Sequence, residues 1–415
     1  MDGNEGTVMN ESVGCSAVRG MRVPDRPAAI DLLGELLSLR AVSKPRRMDR
    51  PFALYGAGKL GHMAMDFFSH VRLTPTVVVD SNADRLRDDP YWQSLKILPP
   101  SLVTAGMKSG LPLVVSIATT CFTELAETLR SQGWQDIVPV YDVMEAYRDR
   151  YPIGNGWFMG SVNSTERTMI KRVLANWTDD VSRAHYLQFL AWHRLRQDWV
   201  FDGALVDAAS RYFIPEILSV LGEQETFVDV GAHMGEIAKA FRDMVGNRFA
   251  RVIMFEPDPR NAAVIQEGLT MLPEPIRGRH TLFTQALSHR SGKRPFFSQL
   301  GYGSQLCEVG SDFVEVRALD DMDVAPSYVK LHLEGHELMA LQGAEATIRR
   351  HRPVLAVTIY HSDVGVWKLP SWLMELLTDY HYYLRLHSWC GTGAVMYGVP
   401  MERRRTSSHD GQQYA

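Results

Sequence analysis

The stretch FVDVGAHMGE, Phe227 to Glu236, decides the fold. Phe227, Val228 and Val230 are strand formers, Gly231 and Gly235 bracket a turn, and Glu236 opens a segment with helical spacing, so the chain runs from strand through glycine loop into helix. Downstream the pattern repeats in RVIMFEPD, HTLFTQAL, YVKLHLEG and PVLAVTIYH, followed by a helix near Pro370 to Asp379 and two late strands, HYYLRLHS and AVMYGVP. A β-rich insertion, PFFSQLGYGSQ and FVEVRALDD, falls between the third and fourth strands. Upstream, FALY, TVVVD, PLVVSIA and DIVPVY alternate with the helical segments HMAMDFFSHV and FTELAETLRSQ. Such alternation predicts parallel sheets with helices on their faces, an α/β chain of two Rossmann-like, doubly wound modules.

The modules are expected at residues 49–150 and 223–400, joined by a helical linker over 151–222. In the linker Tyr186, Phe189, Leu190 and His193 recur at helical spacing and read as packing. Residues 1–48 read as a disordered leader running into one amphipathic helix (AAIDLLGELLSL), and 401–415 as a disordered tail. The cluster KPRRMDR, Lys44 to Arg50, reads as a solvated connector.

Composition excludes several classes. Lys+Arg 44 against Asp+Glu 48 gives a net charge of -4, the wrong sign for a nucleic-acid or anionic-membrane binder. Cys15, Cys121, Cys307 and Cys390 match neither a metal-ligand spacing nor a disulfide framework, so they read as free thiols of a reducing compartment. With no apolar run long enough to span a bilayer, a cytoplasmic location is expected. Oligomeric state leaves no mark in the sequence.

Two glycine loops differ in charge. GAGKLG, Gly56 to Gly61, sits between strand and helix, with Asp80 at the next strand end 19 residues after Gly61. Gly56 would permit the turn, Gly58 close approach of a pyrophosphate, Gly61 tight helix packing, and Asp80 a ribose contact. A nucleotide at this loop and a domain that keeps its glycines only for folding are both open readings. The second loop carries Asp229 at its strand end, a carboxylate that repels pyrophosphate and favours a cationic ligand. S-adenosylmethionine, with an amino group, a sulfonium and no phosphate, answers that description. Glu256 in FEPDPRN, 27 residues after Asp229, would accept from ribose hydroxyls.

The fourth strand, YVKLHLEGHE, is polar where a doubly covered strand should be apolar. Alternation sends Lys330, His332 and Glu334 to one side. His332 and Glu334 fall at the carboxyl end, where open α/β sheets bind ligands, and Tyr360 and His361 leave the following strand at the same edge. Glu337 reads as first-turn charge on the next helix.

With these residues in view, the chain resembles the FkbM-type S-adenosylmethionine-dependent methyltransferases over roughly Thr226 to Pro400, through FVDVGAHMG, FEPDPRN, QALS, GSQ, YVKLHLEGHELMALQGAEATI and RPVLAVTIYH. The upstream part resembles a subgroup in which a Rossmann-like domain with a GxGKxG loop comes first, its connector matching DDVSRAHYLQFLAWHRLR and RYFIPEIL. The resemblance implies a class I methyltransferase-like C-terminal module and O-methylation of a sugar or secondary metabolite, so a small-molecule or glycan acceptor. It implies a cofactor site at Asp229, Gly231, Ala232, Gly235, Glu256 and Asn261, with Ala286 and Leu287 near the adenine. His332 stands where the family's K-x-D-x-E-G-x-E run usually has aspartate. Histidine is a poorer magnesium ligand, which puts a divalent metal in doubt. The expected base is His332, then His361, with Glu334 positioning the acceptor. Two alternatives stand beside this reading: an NAD(P)-binding oxidoreductase or nucleotide-gated enzyme, and a non-catalytic S-adenosylmethionine-binding protein.

Overall fold

The computed structural model describes residues 19–41, 44–298 and 300–403, and parallel strands alternate with helices through them. The largest sheet has seven strands in the spatial order His280–Phe283, Arg251–Phe255, Thr226–Val230, Tyr328–Leu331, Val354–Thr358, Ala394–Pro400, Tyr380–Leu386. The first five run parallel, and Ala394–Pro400 lies antiparallel to both of its neighbours. From Thr226–Val230 the chain steps one way to Arg251–Phe255 and later the other way to Tyr328–Leu331. At such a reversal the loops leave the carboxyl ends in opposite directions and open a crevice.

Period-two alternation sorts the faces of this sheet. Val228, Val230, Val329, Leu331 and Val357 share one core with Tyr186, Phe189 and Leu190 of the helix Asp180–Leu195. Phe227, Tyr328, Ala356 and Tyr397 pack the other face with Tyr212, Phe213 and Phe241. The linker's aromatic stripe is therefore packing, and His193 joins it by stacking on Trp157 at 3.7 Å.

A second sheet of five parallel strands has the order Ile97–Leu98, Val77–Val79, Ala53–Tyr55, Leu113–Val115, Ile137–Pro139. The two-residue strand Ile97–Leu98 is too short to leave a periodic signal. KPRRMDR is more than a solvated connector, since Arg46 and Arg50 both pair with Asp136.

Four expectations need correction. Trp199–Asp202, inside the segment expected to be helical, is a strand paired in parallel with Arg19–Arg22, inside the leader expected to be disordered. The partners lie 180 residues apart, and local periodicity cannot register such a pairing. HTLFTQAL is two strands: His280–Phe283 joins the large sheet, and Ala286–Leu287 pairs with Val316 and Arg317 in a four-stranded sheet built from the insertion. Met401–Arg403, expected to begin the disordered tail, form a 3-10 turn fastened by Arg352 to Glu402 at 2.6 Å and by Arg403 to Glu225. Residues 1–18, with Cys15, and 404–415 lie outside the described residues. Cys121, Cys307 and Cys390 are free thiols. Among the described residues no helix is long and apolar enough to cross a membrane.

Candidate active site

Asp229 and Lys330 occupy opposed positions on adjacent parallel strands, on the face that also carries Phe227 and Tyr328. Lys330 Nζ lies 2.9 Å from Asp229 Oδ1 and also donates to the Gly231 carbonyl at 2.7 Å. Both side chains are buried. The expected bare carboxylate charge at this strand end is thus corrected: a lysine one strand away neutralises it. Burial still raises the Asp229 carboxyl above the usual carboxylate range, in spite of Lys330. Its Oδ2 is buried without a hydrogen-bond partner.

The loop beyond Asp229 needs its glycines. Gly231 has φ 73°, and a Cβ there would stand 2.0 Å from the His332 carbonyl oxygen. The amides of Gly231 and Ala232 both donate to the Phe255 carbonyl, and Gly235, with φ 83°, precedes the helix Glu236–Met244. Glu256 accepts from the His233 amide at 2.7 Å and the Asp258 amide at 2.9 Å, with the Asn261 side-chain amide 3.5 Å away. Burial pushes the Glu256 carboxyl up to about 7. Ser304 of the insertion donates to Asp258 at 2.8 Å, and Tyr302 stacks on His233 at 4.1 Å, which draws the GSQ segment to this end of the sheet. Ala286 and Leu287 are 3% and 1% exposed and packed within hydrophobic cores.

The strand Tyr328–Leu331 ends before the residues expected to extend it. Just past His332, Leu333 to His336 form a turn, closed by the His336 amide on the Leu333 carbonyl, with φ of 50° at Glu334 and 106° at Gly335. That turn brings His332 Nε2 and Glu334 Oε1 to 3.0 Å. The next strand, Val354–Thr358, delivers His361, whose Nε2 is 3.4 Å from the same Glu334 oxygen. The structure therefore brings His332, Glu334 and His361 together.

Glu337, read as a first-turn surface charge, is instead a buried hub. It accepts from the amides of Leu333 and Gly335, each at 3.0 Å, and from the Thr358 hydroxyl at 2.8 Å, and it lies 2.9 Å from His361 Nδ1. Sequence reasoning missed this because first-turn glutamates usually face water, and the Thr358 and His361 that turn this one inward come from another strand. Tyr212, in the RYFIPEIL segment, places its hydroxyl 2.9 Å from His332 Nδ1. Tyr360 places its own 3.2 Å from His332 Nε2 and accepts from Arg211 at 3.1 Å. Burial pushes the His332 imidazole down to about 4. For His361 burial acts the same way, but Glu334, Tyr360 and Glu337 outweigh it and hold the ring above the usual histidine range. Burial would raise Glu334, yet His361 and His332 hold it below the usual carboxylate range.

A cleft of about 200 Å³ borders this cluster. His332, Glu334, Tyr360 and Arg211 form one wall, and Lys59, Leu60 and Met63 of the helix Lys59–His70 form another. That helix follows the first glycine loop, so both halves of the chain meet here. In the loop itself Asp80 accepts from the Ala57 amide at 2.8 Å and from the Asn82 amide at 2.8 Å. Gly56 has φ 100°, and a Cβ on Gly61 would stand 2.4 Å from the Gly56 carbonyl oxygen, whereas Gly58 has open space around it. Gly56, Gly61 and Asp80 thus have work inside the loop.

Residues 229–384 match the methyltransferase FkbM domain family. Among solved structures the chain resembles the methyltransferase FkbM from Methylobacillus flagellatus KT, at 20% identity over 90% of this chain and 98% of that one, with a TM-score of 0.59. Fainter likenesses are an rRNA methylase from Streptococcus thermophilus, 14% identical over 44% of this chain and 91% of that one with a TM-score of 0.29, and LepI in complex with SAM, 13% identical over 67% and 63% with a TM-score of 0.27. No curated protein matches the chain significantly. Residues 229–384, which carry the glycine loop, Glu256 and the His332 cluster, thus form a methyltransferase domain of the FkbM type.

Proposed function

We propose that the chain transfers a methyl group from S-adenosylmethionine to a hydroxyl oxygen of a small molecule or glycan in the cleft beside His332. The observation that carries this reading is a juxtaposition at one sheet end: the glycine loop with Glu256 on one side of the strand reversal, and the His332 and Glu334 cleft wall on the other. The residues suit that donor. Asp229 Oδ2 is a buried acceptor without a donor, and Glu256 stands at the strand end where ribose hydroxyls are commonly received. Asn261, beside Glu256, belongs to the same group, and Gly231, Ala232 and Gly235 supply the loop.

Bound there, the donor supplies an electrophilic methyl carbon: the oxygen–carbon bond forms as the carbon–sulfur bond breaks, and its electron pair stays on sulfur. The protein's part is to hold the acceptor oxygen near attack distance, about 3 to 3.5 Å, and to take up its proton. His332 and Glu334 border the cleft and are assigned that part, His332 as acceptor of the proton and Glu334 as the group that positions the hydroxyl. His361, behind them and 2% exposed, positions Glu334.

The test has two arms. Calorimetry should show saturable binding of S-adenosylmethionine that Glu256→Ala weakens; absence of binding to the intact chain removes the reading. In a radiolabelled methyl assay over hydroxylated acceptors, His332→Ala should lower turnover about 10²–10⁴-fold with donor affinity unchanged.

A further inference from the structure

We propose that His332, Glu334 and His361 form a binding site for one first-row transition dication of the zinc or iron(II) class. Glu334 Oε1 lies 3.0 Å from His332 Nε2 and 3.4 Å from His361 Nε2, and one donor atom from each residue falls within 4.8 Å of the others. Ligand atoms held about 2.1 Å from a shared ion stand about 3.0 Å apart at a right angle and about 3.4 Å apart at the tetrahedral angle. Both contacts therefore have the spacing of neighbouring corners of one coordination shell.

His361 distinguishes this arrangement from an ordinary buried ion pair. Its Nδ1 is engaged by Glu337 at 2.9 Å, while its Nε2, on a side chain 1% exposed, has no hydrogen-bond partner. A ring anchored to a carboxylate through one nitrogen and presenting the other is how metal-bound histidines are fixed in tautomer and orientation. The anchor is itself rigid, because the Leu333 and Gly335 amides hold Glu337 in place. His332 is held by Tyr212 at Nδ1, while its Nε2, 3.2 Å from the Tyr360 hydroxyl, faces Glu334, so an ion there would replace the Tyr360 contact.

The donor set selects the ion. Magnesium asks for an octahedron of oxygens and keeps several waters, and two imidazoles with one carboxylate do not supply that. The same three groups suit zinc or iron(II), and a site with three protein ligands leaves open positions, here beside the cleft walled by His332 and Glu334. The inference deepens the proposed methyl transfer and rests on it for the purpose of the ion, though not for its binding. With the ion in place His332 is a ligand instead of the proton acceptor proposed above; the ion would lower the pKa of an acceptor hydroxyl bound to it, and the proton would pass to water in the cleft.

The test uses the untagged full chain, stripped with a chelator and titrated with Co²⁺ as a spectroscopic probe. One equivalent should bind saturably with a visible d–d band and be displaced by Zn²⁺. His361→Ala should abolish the band, and Glu337→Gln should weaken Co²⁺ by about 10–100-fold while keeping all three donors. His332→Asp should shift preference from Co²⁺ toward Mg²⁺. Should His361→Ala fail to fold by circular dichroism, Glu337→Gln and His332→Asp still decide. No saturable Co²⁺ binding, or equal binding in the variants, overturns the site. S-adenosylmethionine calorimetry on the same stripped protein keeps the two proposals apart. Donor binding without a Co²⁺ site sinks the ion alone, and a Co²⁺ site without donor binding sinks the methyl-transfer reading alone.

Discussion

Lys330 and Asp229, directly opposite in adjacent parallel strands, meet at 2.9 Å on the sheet face packed by Phe227, Tyr328, Ala356 and Tyr397. Two charges so placed are tolerable only together, since removing one leaves the other buried and uncompensated. Lys330→Met should therefore cost about 3–5 kcal/mol in denaturant unfolding. Adding Asp229→Asn should recover part of that loss, and a double-mutant cycle reads the coupling. Additive effects would show that the pair does not hold the strand ends together.

Glu256 predicts a pH dependence. The folded protein keeps this proton to about pH 7, whereas an ordinary glutamate, as in the unfolded chain, releases it near 4.5. Between those values folding takes up a proton, so this group's contribution is full below pH 4.5 and is lost as pH rises through 7. The loss amounts to about 3 kcal/mol at most. Glu256→Gln should flatten that part of the stability–pH curve. A ligand whose hydroxyls donate to Glu256 should draw out its proton, seen below pH 7 as buffer-dependent binding heats.

The glycines separate by what a methyl group would meet. Gly231→Ala forces a Cβ against the His332 carbonyl at positive φ, and Gly61→Ala forces one against the Gly56 carbonyl. Each should lower stability by about 1–3 kcal/mol or more, seen as a fall in Tm. Gly58→Ala meets open space at φ -77° and should cost only the helix N-cap preference for Gly over Ala, about 0.5–1 kcal/mol.

Tyr212→Phe removes the hydroxyl 2.9 Å from His332 Nδ1 and leaves the ring in its core. Losing one hydrogen bond of about 1 kcal/mol should lower turnover about fivefold, with donor affinity unchanged. Unchanged turnover would mean that Tyr212 does not orient His332.

Much of the fold was legible because it is written locally. Runs such as FVDV and RVIMF, each closed by a glycine or proline turn, gave away the parallel strands, and the approach of His332, Glu334 and His361 followed from their places at neighbouring strand ends. What escaped was set by partners distant in the chain. Nothing near Glu337 announces Thr358 or His361, and nothing near Arg19 announces Trp199. The alternation that carried Lys330, His332 and Glu334 to one side stopped at Leu331, and a left-handed turn at Glu334 restored their meeting. Asp229 was seen as a charge but not as a neutralised one, because Lys330 was counted only as a polar interruption.

The helix Lys59–His70 puts Lys59, Leu60 and Met63 on the cavity that His332 and Glu334 also face. On the proposed function, recognition of the incoming molecule is divided from the chemistry done to it. Substitutions at three side chains of one helix would exchange the guest, while the loop and carboxylates proposed for the methyl source, embedded in a different sheet, stay as they are.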